Sequence, residues 1–163
     1  MKEENKIYLA GPDVFRKDAH EHFIALKELC KIHGQIGLSP FDNEIAVNTG
    51  SMSRDIFKGN ILLIDSCDIL IANLDAFRGA NVDDGTAFEI GYAFAKGKTI
   101  YGYTEEPTMD YKYRAGYYTS IAIPHIENFG HCCNLMLHNA VMVTGGNIMN
   151  SFEACLKDIL KYG

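Results

Sequence analysis

The chain has no apolar run long enough to cross a bilayer. It also lacks a basic N-terminal arm leading into an apolar stretch, so neither a membrane partner nor a signal peptide is expected. Positive charge is scarce: 15 Lys and Arg stand against 21 Asp and Glu, and the cations are scattered. A net charge of -6 argues against a nucleic-acid polymer as partner, because such partners call for a basic face. The five cysteines are odd in number and contain no Cys-x-x-Cys pair. They read as reduced thiols of a cytoplasmic protein. Cys132 and Cys133 adjoin His131, where a plain loop is the preferred reading over a metal site. No Gly-x-Gly-x-x-Gly follows the first predicted strand and no Gly-Lys-Ser/Thr loop occurs, which leaves dinucleotide and P-loop sites unsupported. No cofactor and no metal is called for. Repeats, low-complexity tracts and linkers are also missing.

What is present suits one α/β domain over residues 1–163, with 47% hydrophobic residues to fill its core. Short apolar runs at 6–11, 35–40, 68–74, 98–104 and 141–144 predict five strands. Helices are predicted at 18–34, 53–67, 85–97, 133–140 and 147–163. Asp18 with Glu21 matches a capping box and Gly34 a helix stop. Ile56, Asn60, Ile61 and Ile64 share one helical face. Residues 105–131 read as a long loop with a tyrosine cluster at 111–118. Alternating strands and helices predict a three-layer α/β sandwich with a five-stranded parallel sheet, flavodoxin-like or Rossmann-like, with right-handed crossovers.

In such sheets ligands bind beyond the carboxyl ends of the strands. That rim gathers Gly11 to Phe15, Pro40 to Glu44 and Asp75 to Glu89. Acidic groups, amides and aromatics converge there with few cations. The combination suits a neutral polyhydroxylated ligand with a stackable ring, such as a nucleoside. Glu89 admits two readings. Thr86-x-x-Glu89 matches a capping box, in which the carboxylate reaches back to the Thr86 N–H. Alternatively, a carboxylate held against Phe88 and Ile90 is poorly hydrated yet ionised by the field of the helix N-terminus, and so becomes a nucleophile for a sugar carbon. Of Asp83 and Asp84, one serves as helix cap and the other is free for a ligand or for acid catalysis. Asn60 is a polar interruption of an apolar stripe, read either as a satisfied buried amide or as a site residue. Tyr8 lies on a strand, where a core role is usual. Asp42, Asn43 and Glu44 are ordinary turn residues.

Four stretches in this order, "KIYLAGPDVF", "LSPFDNE", "CDILIANLDAFRGANVDDGTAFEIGYAFAKGK" and "NLML", resemble the nucleoside 2-deoxyribosyltransferase family. "FRG" followed by "D-x-GTAFE-x-G" is most similar to the branch that includes protozoan transferases. The resemblance implies transfer of a 2-deoxyribosyl group between nucleobases in nucleoside salvage, with a deoxynucleoside and a free nucleobase as partners. It implies Glu89 as the nucleophile at the anomeric carbon, forming a covalent ester. Asp83, six residues earlier, would contact base or sugar and help protonate the leaving base, on a loop that also carries Asp75. Tyr8 matches the aromatic of the first strand. Phe15, Asp42, Asn43 and Glu44 fall where relatives contact the base, close to Gly11. Asn134 matches an asparagine that relatives contribute to the neighbouring subunit's site, where it holds the sugar 5′-hydroxyl. That implies a homo-oligomer, at least a dimer. Many relatives carry an aspartate where this chain has Asn60. An amide donates no acid proton, so either Asp83 does the acid work alone or Asn60 only orients Glu89. The 111–118 segment is a candidate cover that excludes water. Two alternatives compete with the transferase. One is a 2′-deoxynucleoside 5′-monophosphate N-glycosidase of the same fold, supported by Arg16 and Arg78. The other is a non-catalytic nucleotide-binding module.

Overall fold

The structure is a computed structural model and describes residues 4–43, 51–118 and 126–162. Five strands form one all-parallel sheet: β1 (Lys6–Ala10), β2 (Ile36–Leu38), β3 (Ile69–Asn73), β4 (Thr99–Tyr103) and β5 (Ile148–Met149). Their spatial order is β2-β1-β3-β4-β5. Register places Tyr8 between Leu38 and Leu70, and Leu70 beside Ile100. All five residues of β3 are buried, as expected for a central parallel strand covered on both faces.

Alternation along the strands sorts the core into two layers. Ile7, Leu9, Ile69, Ile71 and Tyr101 face one side, where they meet Phe23, Leu26 and Cys30 of α1 (Ala19–Ile32). Phe152, Leu156 and Ile159 of α6 (Phe152–Tyr162) complete that layer. Tyr8, Ala10, Leu70, Ala72 and Ile100 face the other side. There they meet Ile64 of α2 (Met52–Ser66), Ile90 and Ala93 of α3 (Asp84–Ala95), and Val141 of α5 (Leu135–Val143). The chain leaves β1 through α1 in one direction and returns through α2 to β3 in the other. The reversal puts the crevice of the sheet between β1 and β3. Among the described residues no helix is long and apolar enough to cross a membrane.

Several expectations change. Residues 141–143 are the end of α5 and Thr144 is its C-cap, instead of a strand, and the fifth strand lies at 148–149. Val141 is fully buried under the helix, and the Thr144 hydroxyl bonds back to the carbonyls of Ala140 and Val141. A short apolar run fits either element by periodicity. Within the predicted loop 105–131, Tyr111–Tyr118 forms a further helix, α4. The Asp18 carboxylate caps nothing, because both of its oxygens accept from the Arg16 guanidinium. Gly34 does end α1, with φ 69. Of the predicted apolar stripe on α2, only Ile64 is buried. All five cysteines are buried and free.

Candidate active site

Glu89 sits just inside α3, and the way that helix starts decides what the side chain does. The N-cap is Asp83, whose carboxylate accepts from the Thr86 N–H (3.0 Å) and hydroxyl (3.2 Å). Thr86 is therefore the third helical residue and not the cap. The letters offer a box at Thr86 and a plain N-cap at Asp83, and the earlier aspartate takes the cap. Glu89 is thus released from capping. Thr86, Ile90 and Ala93 recur at helical spacing and bury against the sheet. Glu89, three residues after Thr86, lies at the edge of that face.

Its partner comes from the first strand. The Tyr8 hydroxyl donates to Glu89 Oε1 at 2.7 Å, from a ring with no solvent exposure. Burial, with the Glu89 charge beside it, pushes the Tyr8 phenol far up, so it remains a donor at any physiological pH. Burial likewise pushes the Glu89 carboxyl up to about 7; the Tyr8 bond opposes this rise, and the Asp83 charge reinforces it. Such a carboxylate is weakly hydrated, holds one oxygen in a directed hydrogen bond and leaves the other available.

Around this pair the β1 exit is tightly drawn. A Cβ on Gly11 would lie 2.6 Å from Asp13 Oδ2 and 2.9 Å from the Asn73 Cβ, so no larger residue fits. Asp13 is buried and accepts from Asn73 Nδ2 (3.1 Å), and its other oxygen lies 3.2 Å from His22 Nε2. Two residues on, Phe15 stands 59% exposed and stacks on Phe77 at 5.4 Å. The Arg78 guanidinium covers both rings, 4.9 and 4.7 Å from their centroids. Arg78 is the one non-glycine among the described residues with positive φ (51°). A cavity of about 190 Å³ opens between Phe77, Arg78, Asn81 and Asp83.

The other candidates divide into separate groups. Asn43 donates to Asn60 Oδ1 (2.8 Å) and to the Pro40 carbonyl (3.1 Å). Asn60 is therefore held by a turn side chain, where local backbone was one expectation. Among the described residues no hydrogen bond joins it to Glu89, which speaks against the orienting role. Asp42 is drawn into its own turn, accepting from the Ser39 N–H and from Lys27. Glu44 lies outside the described residues. Asp75 accepts from the Thr104 hydroxyl (2.7 Å) and the Glu105 N–H (3.0 Å), in the wall of a separate cavity of about 640 Å³. Arg114 of α4 is buried beside it, donating to the Leu74 carbonyl and to Thr104.

Asn134 caps α5, accepting from the Met136 N–H, and donates to Glu127 (2.6 Å). It opens onto a cavity shared with Asp84 and Ala87 of α3. Ala87 and Glu89 are two residues apart, roughly 200° around the helix. Asn134 therefore lies on the flank of α3 turned away from the Glu89 carboxylate of its own chain. His131 stacks on His138 at 3.7 Å, and Cys132 and Cys133 are buried beneath. Among the described residues no three His, Cys, Asp or Glu side chains group to hold a metal ion. Sequence reading set the stretches that hold Asp13 and Phe77 on the rim without singling either out, and it missed Asn73. The available signals were polar residues closing an apolar strand and the aromatic in "FRG".

Comparison with known proteins identifies the family. The sequence model of the nucleoside 2-deoxyribosyltransferase family matches residues 7–136. A solved 2-desoxiribosyltransferase from Leishmania mexicana is 34% identical, with TM-score 0.78 over 97% of this chain and 98% of that one. A conserved protein from Enterococcus faecalis is 26% identical, with TM-score 0.68 over 99% and 100% of the two chains. An uncharacterised protein of Schizosaccharomyces pombe is 43% identical over 108 residues, which is 63% of this chain and 51% of that protein. This chain therefore spans about half the length of that curated relative. The chain belongs to the nucleoside 2-deoxyribosyltransferase family.

Proposed function

We propose that the protein transfers a 2-deoxyribosyl group from one nucleobase to another through an ester on Glu89. The observation that carries this reading is the Tyr8–Glu89 pair, a poorly hydrated carboxylate fixed by one hydrogen bond in the crevice of the sheet. Family membership, and the similarity to a solved 2-desoxiribosyltransferase, support the same reaction.

In the first half-reaction the free oxygen of ionised Glu89 bonds to C1′ while the glycosidic C1′–N bond breaks. The electron pair leaves with the base, whose nitrogen takes a proton delivered by Asp83. The carboxylate stabilises the oxocarbenium character that builds on the sugar. Asp83 is assigned to the base side: one oxygen is occupied by the Thr86 cap, and the other makes no hydrogen bond among the described residues. In the second half-reaction a new base gives its N–H proton to Asp83, attacks C1′ and displaces Glu89 as the carboxylate. Tyr8 holds the departing carboxylate in place throughout. Phe15 and Phe77 provide ring faces for the heterocycle.

The position of Asn134 on the far flank of its own α3 supports a site shared between subunits of a homo-oligomer. Asn134 from one subunit would then reach the sugar 5′-hydroxyl at Glu89 of the next.

A base-exchange assay with deoxyinosine and a panel of free bases tests the reaction, and a mass increase of one deoxyribosyl unit, absent in Glu89→Ala, tests the ester. Exchange without a labelled Glu89 would refute the covalent route; binding without turnover would refute the transferase. Turnover confined to 5′-monophosphates and ending in hydrolysis would instead identify an N-glycosidase. Mixing inactive Glu89→Ala with inactive Asn134→Ala should recover part of the activity, and no recovery would refute the shared site.

A further inference from the structure

Arg78 is placed as if to be read by a ligand, and among the described residues no acceptor satisfies it. Its backbone is left-handed, a conformation unfavourable to any residue with a side chain beyond Cα. Its guanidinium carbon lies within 5 Å of the centroids of both Phe15 and Phe77. Cation–π contact with two rings offsets that strain and fixes the plane of the group. Yet among the described residues it makes no hydrogen bond and no ion pair. A planar set of N–H donors is thus held ready at the mouth of the 190 Å³ cavity that Asp83 also lines. That volume is below the range usual for a whole small-molecule site, so it suits one part of a ligand.

Resting on the transferase reading above, we propose that Arg78 is a specificity-determining residue that selects 6-oxopurines as leaving and accepting bases, donating two N–H groups to the O6 and N7 acceptors. The chemistry is one-sided. Arginine only donates, and hypoxanthine and guanine present two adjacent acceptors on that edge. Adenine presents N7 beside an amino donor, and the pyrimidines lack the pair altogether. Phe15, 59% exposed, and Phe77 stack on each other beside the guanidinium and add flat apolar surface to the same rim. A phosphate is the rival for the same fork. It would enter a cavity whose walls also carry the carboxylates of Asp83 and Asp84, whose like charge opposes it.

The test measures kcat/KM for base exchange with hypoxanthine, guanine and adenine as acceptors, in the wild-type protein, Arg78→Gly and Arg78→Lys. Glycine accepts the left-handed backbone, so folding is preserved. Lysine keeps the charge and loses the planar fork. The wild type should favour the oxopurines by about tenfold or more, the discrimination expected of one bidentate pair. Both variants should bring that ratio close to one, with the larger loss on the oxopurines. An unchanged ratio in a wild type and variants that all exchange bases would overturn the role of Arg78 and leave the transferase reading standing. So would a loss seen only with 5′-monophosphates, which would assign Arg78 to a phosphate. If the wild type exchanges no base at all, it is the transferase reading that fails.

Discussion

Replacing Glu89 with glutamine should abolish transfer and at the same time stabilise the protein at alkaline pH. Burial holds the Glu89 carboxyl up to about 7 in the folded chain, against 4.5 for an ordinary glutamate. Between those two values the folded state keeps a proton that the unfolded state has released. Stability therefore falls as pH rises through that window, and the deficit is complete above about pH 7. Two and a half pH units at about 1.36 kcal/mol each set a ceiling of roughly 3 kcal/mol. Glutamine keeps an oxygen to accept from Tyr8 and never charges, so the variant escapes this term. Urea denaturation of both proteins should show similar stability at about pH 4.5. At about pH 8 Glu89→Gln should be more stable by up to roughly 3 kcal/mol. Activity should drop by several orders of magnitude, as for deletion of a covalent nucleophile. A stability difference that is the same at both pH values would refute the desolvated carboxylate, and with it the reason Glu89 is reactive.

Tyr8→Phe removes the donor that favours the anion, so the acid limb of the kcat/KM profile should move to higher pH; an unmoved limb would show that the bond has no part in ionising Glu89. Asp83→Ser should retain the helix cap, whereas Asp83→Ala should lose about 1 kcal/mol of it. Both should be poorly active, and a fully active serine variant would leave Asp83 with structure alone. Gly11→Ala forces a Cβ against Asp13 and Asn73, and calorimetry should find it less stable by about 1–3 kcal/mol, with impaired turnover; a fully active, equally stable variant would contradict the close approach.

Sequence reading succeeded where local pattern and tertiary role coincide. Residues 7–10 and 69–72 are continuous buried apolar runs, and Glu89 is conspicuous as a lone carboxylate among small and apolar residues. It failed where one pattern serves two structures. Val141 to Thr144 look like a strand because an apolar run has no period of its own; a buried Val141 and the back-bonded Thr144 hydroxyl make it a helix end. Thr86 and Glu89 spell a capping box that Asp83 pre-empts. The bond that matters most joins residues 81 positions apart, and periodicity carries no trace of it. Asn73 was overlooked for the same reason: its pairing with Asp13 exists only once β1 and β3 lie side by side.

Arg114 has a consequence for how substrates come and go. Its charge is 6% exposed, and it fastens α4 to the Leu74 carbonyl and, through Thr104, to Asp75. Swinging that helix outward would break both hydrogen bonds of the guanidinium, each worth roughly 1.5–3 kcal/mol for a charged group, and return the charge to water. The tyrosine-bearing helix is thus fastened to the ends of β3 and β4, and its opening carries a cost. The 77–84 segment, with its exposed Arg78 and polar rim, is the nearer threshold.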